Sequence, residues 1–190
     1  GAVGIEVAPE GIMVANAGVV LLHPFLPRLF EGLGLAAGDE LPDPSRAIGL
    51  LHHLATGELT TPEHEVTLAK VLCGRPLDEP VPADVRLTVA ETGEATTLLR
   101  AVIGHWTALR DTAPDVLRLE FLRRPGILSG ADFDEWLLRV DTGTADILLY
   151  RLPWSTSMIR LPWMPRMLHV EWRVAGQERH PHVRRRGPRG

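Results

Sequence analysis

Histidine is the residue type in this chain whose spacing could most directly reveal chemistry, because imidazole binds metals and transfers protons near neutral pH. The densest group among the eight histidines is His52, His53 and His64. Adjacent helical residues point about 100° apart, so His52 and His53 cannot both face one ion. Neither H-E-x-x-H nor C-x-x-C occurs in the sequence. The spacing therefore predicts no metal site and no cofactor.

Nucleophilic catalysis has equally little support in the sequence. Cys73 is the single cysteine and precedes Gly74 at the end of a predicted helix, where the helix dipole opposes thiolate formation. No serine lies in a G-x-S-x-G turn, and no glycine-rich phosphate loop occurs. The prediction is a protein that is not an enzyme, and Cys73 is interpreted as a core residue. The catalytic alternative is a small hydrolase built around His23, His52 or His105.

Charge and composition exclude further classes of function. A formal net charge of −4 lacks the positive field that nucleic-acid-binding proteins use. The longest apolar run, at residues 19–22, is far shorter than the roughly 20 residues of a membrane span. One cysteine permits no intrachain disulfide, which fits a reducing compartment. The first residues lack the features of a signal peptide, and we expect the chain to be part of something longer.

Helix-start signals divide the first two thirds of the chain. Asn16, Asp43 and Thr61 are predicted N-caps, the latter two followed by proline, and Gly57 is predicted to end the helix that Asp43 begins. Apolar residues at helical spacing predict further helices over residues 93–109 and from 111 to about 122. The prolines of residues 75–82 predict a connector.

Short alternating segments at residues 136–140, 157–161 and 168–172 predict strands. The predicted fold class is therefore α+β, mainly helical with a small C-terminal antiparallel sheet. Residues 1–10 are predicted to be a flexible leader, 11–172 a single globular domain, and 173–190 a disordered basic tail.

Two proline-stiffened segments carry large apolar side chains. Leu-Pro-Trp occurs twice within residues 152–165, and residues 23–30 have the same character. These rings either cover the domain's own core or anchor a partner, since Trp and Met are enriched at interface centres. The predicted partner contacts are Phe25, Phe30, Trp154, Met158, Trp163 and Met164. On this hypothesis, replacing Trp163 with alanine leaves the domain folded and abolishes partner binding.

The same segments carry a resemblance to a known family. Residues 16–30 (NAGVVLLHPFLPRLF) and 151–165 (RLPWSTSMIRLPWMP) resemble the conserved region of contractile injection system tape measure proteins. LLHHLATGE at 50–58, LLRAVIGHW at 98–106 and FLRRPG at 121–126 are similar to further blocks in the same order. The resemblance covers roughly residues 11–172.

The resemblance implies a structural role in a phage-tail-like particle that is assembled in the cytoplasm. A tape measure protein sets the length of the inner tube, and family members are typically much longer than this chain. The chain is therefore interpreted as the conserved docking domain, with baseplate, hub or inner-tube proteins as partners and no nucleic acid or membrane span involved. An adaptor for cargo or assembly is the alternative.

Overall fold

The computed structural model of the chain describes residues 11–130 and 134–174. The predictions for residues 1–10, and for the tail beyond residue 174, lie outside these described residues. The α-helices are α1 Leu26–Gly32, α2 Pro44–Thr56, α3 Thr67–Leu72, α4 Val89–His105 and α5 Pro114–Leu117, which continues as a π-helical turn, Arg118–Leu122. 3-10 helices span Ala17–Phe25, Glu63–Glu65, Thr107–Leu109 and Thr144–Arg151. The strands are β1 Ile12–Val14, β2 Gly126–Ser129, β3 Trp136–Val140, β4 Met158–Ile159 and β5 Leu168–Trp172.

The predicted C-terminal antiparallel sheet is wrong in two respects. Across the described residues the sheet has five strands in the order β1-β2-β3-β5-β4, and β3 pairs with β5 in parallel. Its first strand comes from the start of the described chain, not from the C-terminal region. Strands β1 and β2 are three and four residues long, too short to show a readable alternation. The parallel pair is possible because the chain crosses over through residues 141–167 between the two strands.

The core lies between the inner face of the sheet and the helices. Strand residues that alternate with exposed ones, including Val14, Leu128, Leu138 and Val170, are buried in one hydrophobic cluster. Every residue of α2 from Ala47 to Ala55 is also buried. The helices therefore cover one face of the sheet and leave the opposite face to solvent.

Of the three predicted N-caps, Asp43 forms as expected, whereas Asn16 and Thr61 do not. Asp43 accepts a hydrogen bond from the Arg46 backbone N–H at 3.2 Å, and Gly57 ends α2 with a φ of 76°, as predicted. Asn16 makes no side-chain cap. The Thr61 hydroxyl donates to the Pro82 carbonyl at 2.6 Å, so Thr61 ties two connecting segments together.

Helix α4 begins four residues before the predicted start because of a capping box. The Glu91 backbone N–H donates to the Thr88 hydroxyl at 3.1 Å, and the Thr88 backbone N–H donates to the Glu91 carboxylate at 2.8 Å. Arg46 of α2 also donates to Glu91 at 2.6 Å. The cap therefore joins the beginning of α4 to α2.

Candidate functional site

Three of the six predicted contact residues lie in the domain's own core. Phe30 is fully buried, Met164 is 4% exposed, and Trp163 is 9% exposed. The Trp163 ring stacks on Phe30 with a centroid separation of 5.3 Å, and its indole N–H donates to the Leu72 carbonyl at 2.7 Å. That carbonyl belongs to the last residue of α3. The second Leu-Pro-Trp unit thus covers the core, and its partner-binding role remains a prediction.

Trp154 and Phe25 are half-buried and pack against each other. Their rings meet edge to face at 5.2 Å, and the Trp154 indole N–H donates to the Leu21 carbonyl at 2.9 Å. Phe25 also contacts the ring of His105 at 5.8 Å. It borders an open groove of about 590 Å³ between α1 and α4, where Ala101 is exposed. The first Leu-Pro-Trp unit therefore pins the loop after residue 151 onto the 3-10 helix Ala17–Phe25.

Met158 differs from the other five because it projects from the solvent-facing side of the sheet with 57% of its surface exposed. Strand pairing places Met158 beside His169, and His169 beside Leu137. At the other end of the same face, Met13 is 79% exposed and pairs with Ile127, which is 40% exposed. We call Met13, Ile127, Leu137 and Met158 the outer sheet face.

Charged side chains lie among these apolar groups. Arg139 donates to the Glu171 carboxylate at 3.2 Å across β3 and β5, and His169 is 2.7 Å from the Glu135 carboxylate. Both pairs are substantially exposed, so each contributes at most about 1 kcal/mol to folding. The pairs place charged groups between the apolar side chains of the outer sheet face.

His23 and His105, two of the histidines proposed for a hydrolase, have structural contacts in place of catalytic partners. His23 donates through Nε2 to the backbone carbonyl of Ser155 at 2.7 Å, not to a nucleophile or a carboxylate. His105 is exposed and packs on Phe25.

Cys73 is buried as predicted for a core residue, and burial raises the pKa of its thiol, which opposes thiolate formation.

The half-buried His23 and the buried His52 and His53 should make the fold sensitive to acid. Burial lowers the pKa of His23 from its ordinary value of 6.5, and the hydrogen bond to Ser155 only partly opposes this. The unfolded chain therefore binds the proton more tightly than the folded chain does. The contribution of neutral His23 to the free energy of unfolding is complete above pH 6.5 and is lost as the pH drops through the folded-state pKa. Urea unfolding between pH 5 and 8 should show this decline.

A matched variant assigns part of that decline to His23. In His23→Gln the amide nitrogen can still donate to the Ser155 carbonyl but does not titrate, so we expect a shallower loss of stability in acid. Burial also lowers the pKa values of His52 and His53, and these residues should keep the remaining slope. An unchanged pH profile in His23→Gln would contradict the assignment.

His52 has surroundings that the sequence did not predict. Its ring lies near the carboxylates of Glu58 and Glu65, and one ligand atom from each of the three residues lies within 4.8 Å of the others. His64, which the sequence grouped with His52, is exposed and lies outside this group. Sequence reasoning missed the group because Glu58 and Glu65 follow His52 by six and 13 residues, which is not a recognised metal-ligand spacing, and only the fold brings the three together.

Comparison with known proteins gives one finding. The family model for contractile injection system tape measure proteins matches residues 5–172 of the chain. Neither a curated protein nor a solved structure matches it. Among the described residues, no helix is both long enough and apolar enough to cross a bilayer.

Proposed function

The chain belongs to the contractile injection system tape measure protein family, and from that premise we propose that it acts as the docking domain that holds the ruler to baseplate, hub or inner-tube subunits. Membership in a structural family points to a component of the injection particle and to a role without catalysis. The matched region includes nearly all the described residues. We therefore propose the docking function for the described residues within the matched region.

The outer sheet face is the observation that supports docking. Exposed apolar side chains that lie close together can mark a binding surface. Met13 and Ile127 are neighbours on β1 and β2, whereas Met158 lies on the opposite edge strand of the same face. Met13 and Met158 are 79% and 57% exposed, and their unbranched side chains adapt readily to a partner's shape. Burial of each apolar side chain supplies about 1.5–3 kcal/mol before the entropic costs of association.

Partner binding at this face has a direct test. We expect Met13→Asp combined with Met158→Asp to weaken capture of the cognate subunits at least 10-fold, because two carboxylates would have to be desolvated in the interface. Affinity is measured by co-purification and titration with each co-expressed baseplate, hub and tube protein. The melting temperature should stay close to that of the wild type, since both positions are exposed.

Val89→Asp is the matched control because Val89 is 89% exposed at the start of α4 and lies away from the sheet. It introduces the same side chain without touching the outer sheet face and should bind normally. Unchanged binding of the double variant would overturn this docking surface. Loss of binding in Ala101→Asp alone would instead place the partner in the groove beside Phe25.

Particle assembly separates anchoring of the ruler from recruitment of cargo. A variant that loses anchoring should give tubes of wrong or variable length, or no particles, as seen by electron microscopy. Normal tube length with loss of cargo would favour the adaptor function. Normal length together with normal cargo content would contradict both functions for this surface.

A further inference from the structure

His52, Glu58 and Glu65 lie close together where α2 meets the segment that follows it. His52 lies on α2, Glu58 follows the end of that helix, and Glu65 ends the 3-10 helix Glu63–Glu65. Only 1% of the His52 side chain is exposed, whereas 49% of Glu58 and 27% of Glu65 are exposed. The imidazole thus reaches the two carboxylates from the protein interior.

Neither ring nitrogen of His52 has a hydrogen-bond partner. Buried polar atoms without a partner are costly, and native proteins seldom leave them so. Nε2 lies 3.5 Å from a Glu65 oxygen and 3.8 Å from a Glu58 oxygen. Charge-assisted hydrogen bonds of this kind are about 2.7–2.9 Å long, so these separations do not describe hydrogen bonds.

The separations fit a shared cation instead. Zinc binds nitrogen and oxygen ligands at about 2.0–2.2 Å, and tetrahedral geometry then holds the ligand atoms roughly 3.3–3.6 Å apart. The distance from Nε2 to Glu65, 3.5 Å, lies in that range, the distance to Glu58, 3.8 Å, is slightly longer, and all three ligand atoms lie within 4.8 Å of one another. A cavity of about 10 Å³, about the least that holds one water molecule, borders His52, Glu65 and Asn16 but not Glu58.

We propose that His52, Glu58 and Glu65 bind one divalent transition-metal ion, with Zn²⁺ as the best match to this donor set. One imidazole and two carboxylates suit Zn²⁺ better than Ca²⁺ or Mg²⁺, which prefer oxygen ligands alone. The charge of the ion balances the two carboxylates. This proposal departs from the prediction of no metal site, which rested on the spacing of His52 and His53.

Surrounding contacts hold the backbone of Glu58 in place before an ion binds. The Glu58 backbone N–H donates to the Thr56 hydroxyl at 3.0 Å, and His53 Nδ1 donates to the Glu58 carbonyl at 3.0 Å. Burial lowers the pKa of His52, and the positive Arg123 nearby also favours the neutral ring that metal binding requires, against the opposing effect of Glu65 and Glu58. Bound metal would fasten the end of α2 to the segment that leads into α3.

Zinc titration of the full chain tests the site. We expect one Zn²⁺ to bind per chain at these residues and to raise the melting temperature, with reversal by a chelator. Glu65→Gln and Glu58→Gln should each weaken this binding at least roughly 10-fold, since each removes a charged ligand. Co²⁺ in place of Zn²⁺ should give a visible absorption band that these variants lose.

His64→Gln is the matched control, because it removes a nearby exposed histidine that is not a ligand in this arrangement. It should bind Zn²⁺ like the wild type. Equal affinity of the wild type and Glu65→Gln would overturn the proposal, and so would an equal loss in His64→Gln. Glutamine at the exposed Glu58 preserves side-chain size, so loss of binding there cannot be attributed to unfolding if the metal-free melting temperature is unchanged.

Discussion

Trp163→Ala is expected to lower the free energy of unfolding by about 3–5 kcal/mol, the usual cost of truncating a buried tryptophan. The ring is 9% exposed and stacks on the fully buried Phe30. Its removal also deprives the Leu72 carbonyl of its 2.7 Å hydrogen bond. Urea unfolding followed by circular dichroism measures the loss as a lower midpoint at an unchanged slope.

Two further variants separate the contributions of Trp163. Trp163→Phe keeps a ring against Phe30 but removes the N–H donor, so it should cost about 1–3 kcal/mol for the unpaired carbonyl and the poorer fit. Met158→Ala removes a side chain that is 57% exposed and should stay within about 0.5 kcal/mol of the wild type. A Trp163→Ala protein as stable as Met158→Ala would contradict a core role for this ring.

This expectation changes how partner binding can be tested. The sequence predicted that Trp163→Ala would stay folded and lose only its partner. With the ring in the core, loss of binding in that variant would not distinguish a missing contact from a destabilised domain. Met13 and Met158 are better positions because their exposure lets binding change while folding does not.

Local signals were read from the sequence more reliably than contacts distant in the chain. Helix α2 begins after Asp43 and ends before Gly57, as predicted, because a cap depends on residues only a few positions away. The Thr88 and Glu91 capping box is equally local and could have been recognised from its T-x-x-E spacing. Thr61 has the sequence of a cap, but its hydroxyl bonds to Pro82, which local spacing cannot predict.

The sheet depends on pairing across long stretches of chain. Strand β1 pairs with β2 more than 100 residues later, and no feature of three residues indicates that partner. Composition likewise cannot tell whether a tryptophan after proline covers a core or binds another protein, since both environments favour large rings.

The likeness to the family came instead from several ordered blocks, and the matching family model confirms it.

Asp146 is a fully buried carboxylate whose role was also absent from the sequence analysis. It accepts hydrogen bonds from Arg124 at 2.9 Å, from the Gly143 backbone N–H at 2.8 Å and from the Trp172 indole N–H at 3.1 Å. Arg124 also lies 5.6 Å from the centre of the Trp172 ring. One carboxylate therefore joins the chain after the π-helical turn, the 3-10 helix Thr144–Arg151 and strand β5.

Asp146→Ala is accordingly expected to cost about 3–5 kcal/mol in the free energy of unfolding, since it leaves the Arg124 charge buried without its partner. Asp146→Asn retains an acceptor oxygen and should cost less. Glu171→Gln, which breaks the exposed pair with Arg139, should cost at most about 1 kcal/mol. Chemical denaturation of the three variants under one buffer condition provides the comparison.

A double-mutant cycle identifies the source of that loss. If the buried charge dominates, the double variant Arg124→Met/Asp146→Ala should lose less stability than the sum of the losses in the two single variants. The reason is that Arg124→Met removes the cation that has lost its carboxylate partner. Strict additivity would mean that the donors at Gly143 and Trp172 account for the role of Asp146. The domain would then depend on this carboxylate as a hydrogen-bond acceptor that fixes β5, and the charge of Arg124 would matter little to the position of the outer sheet face.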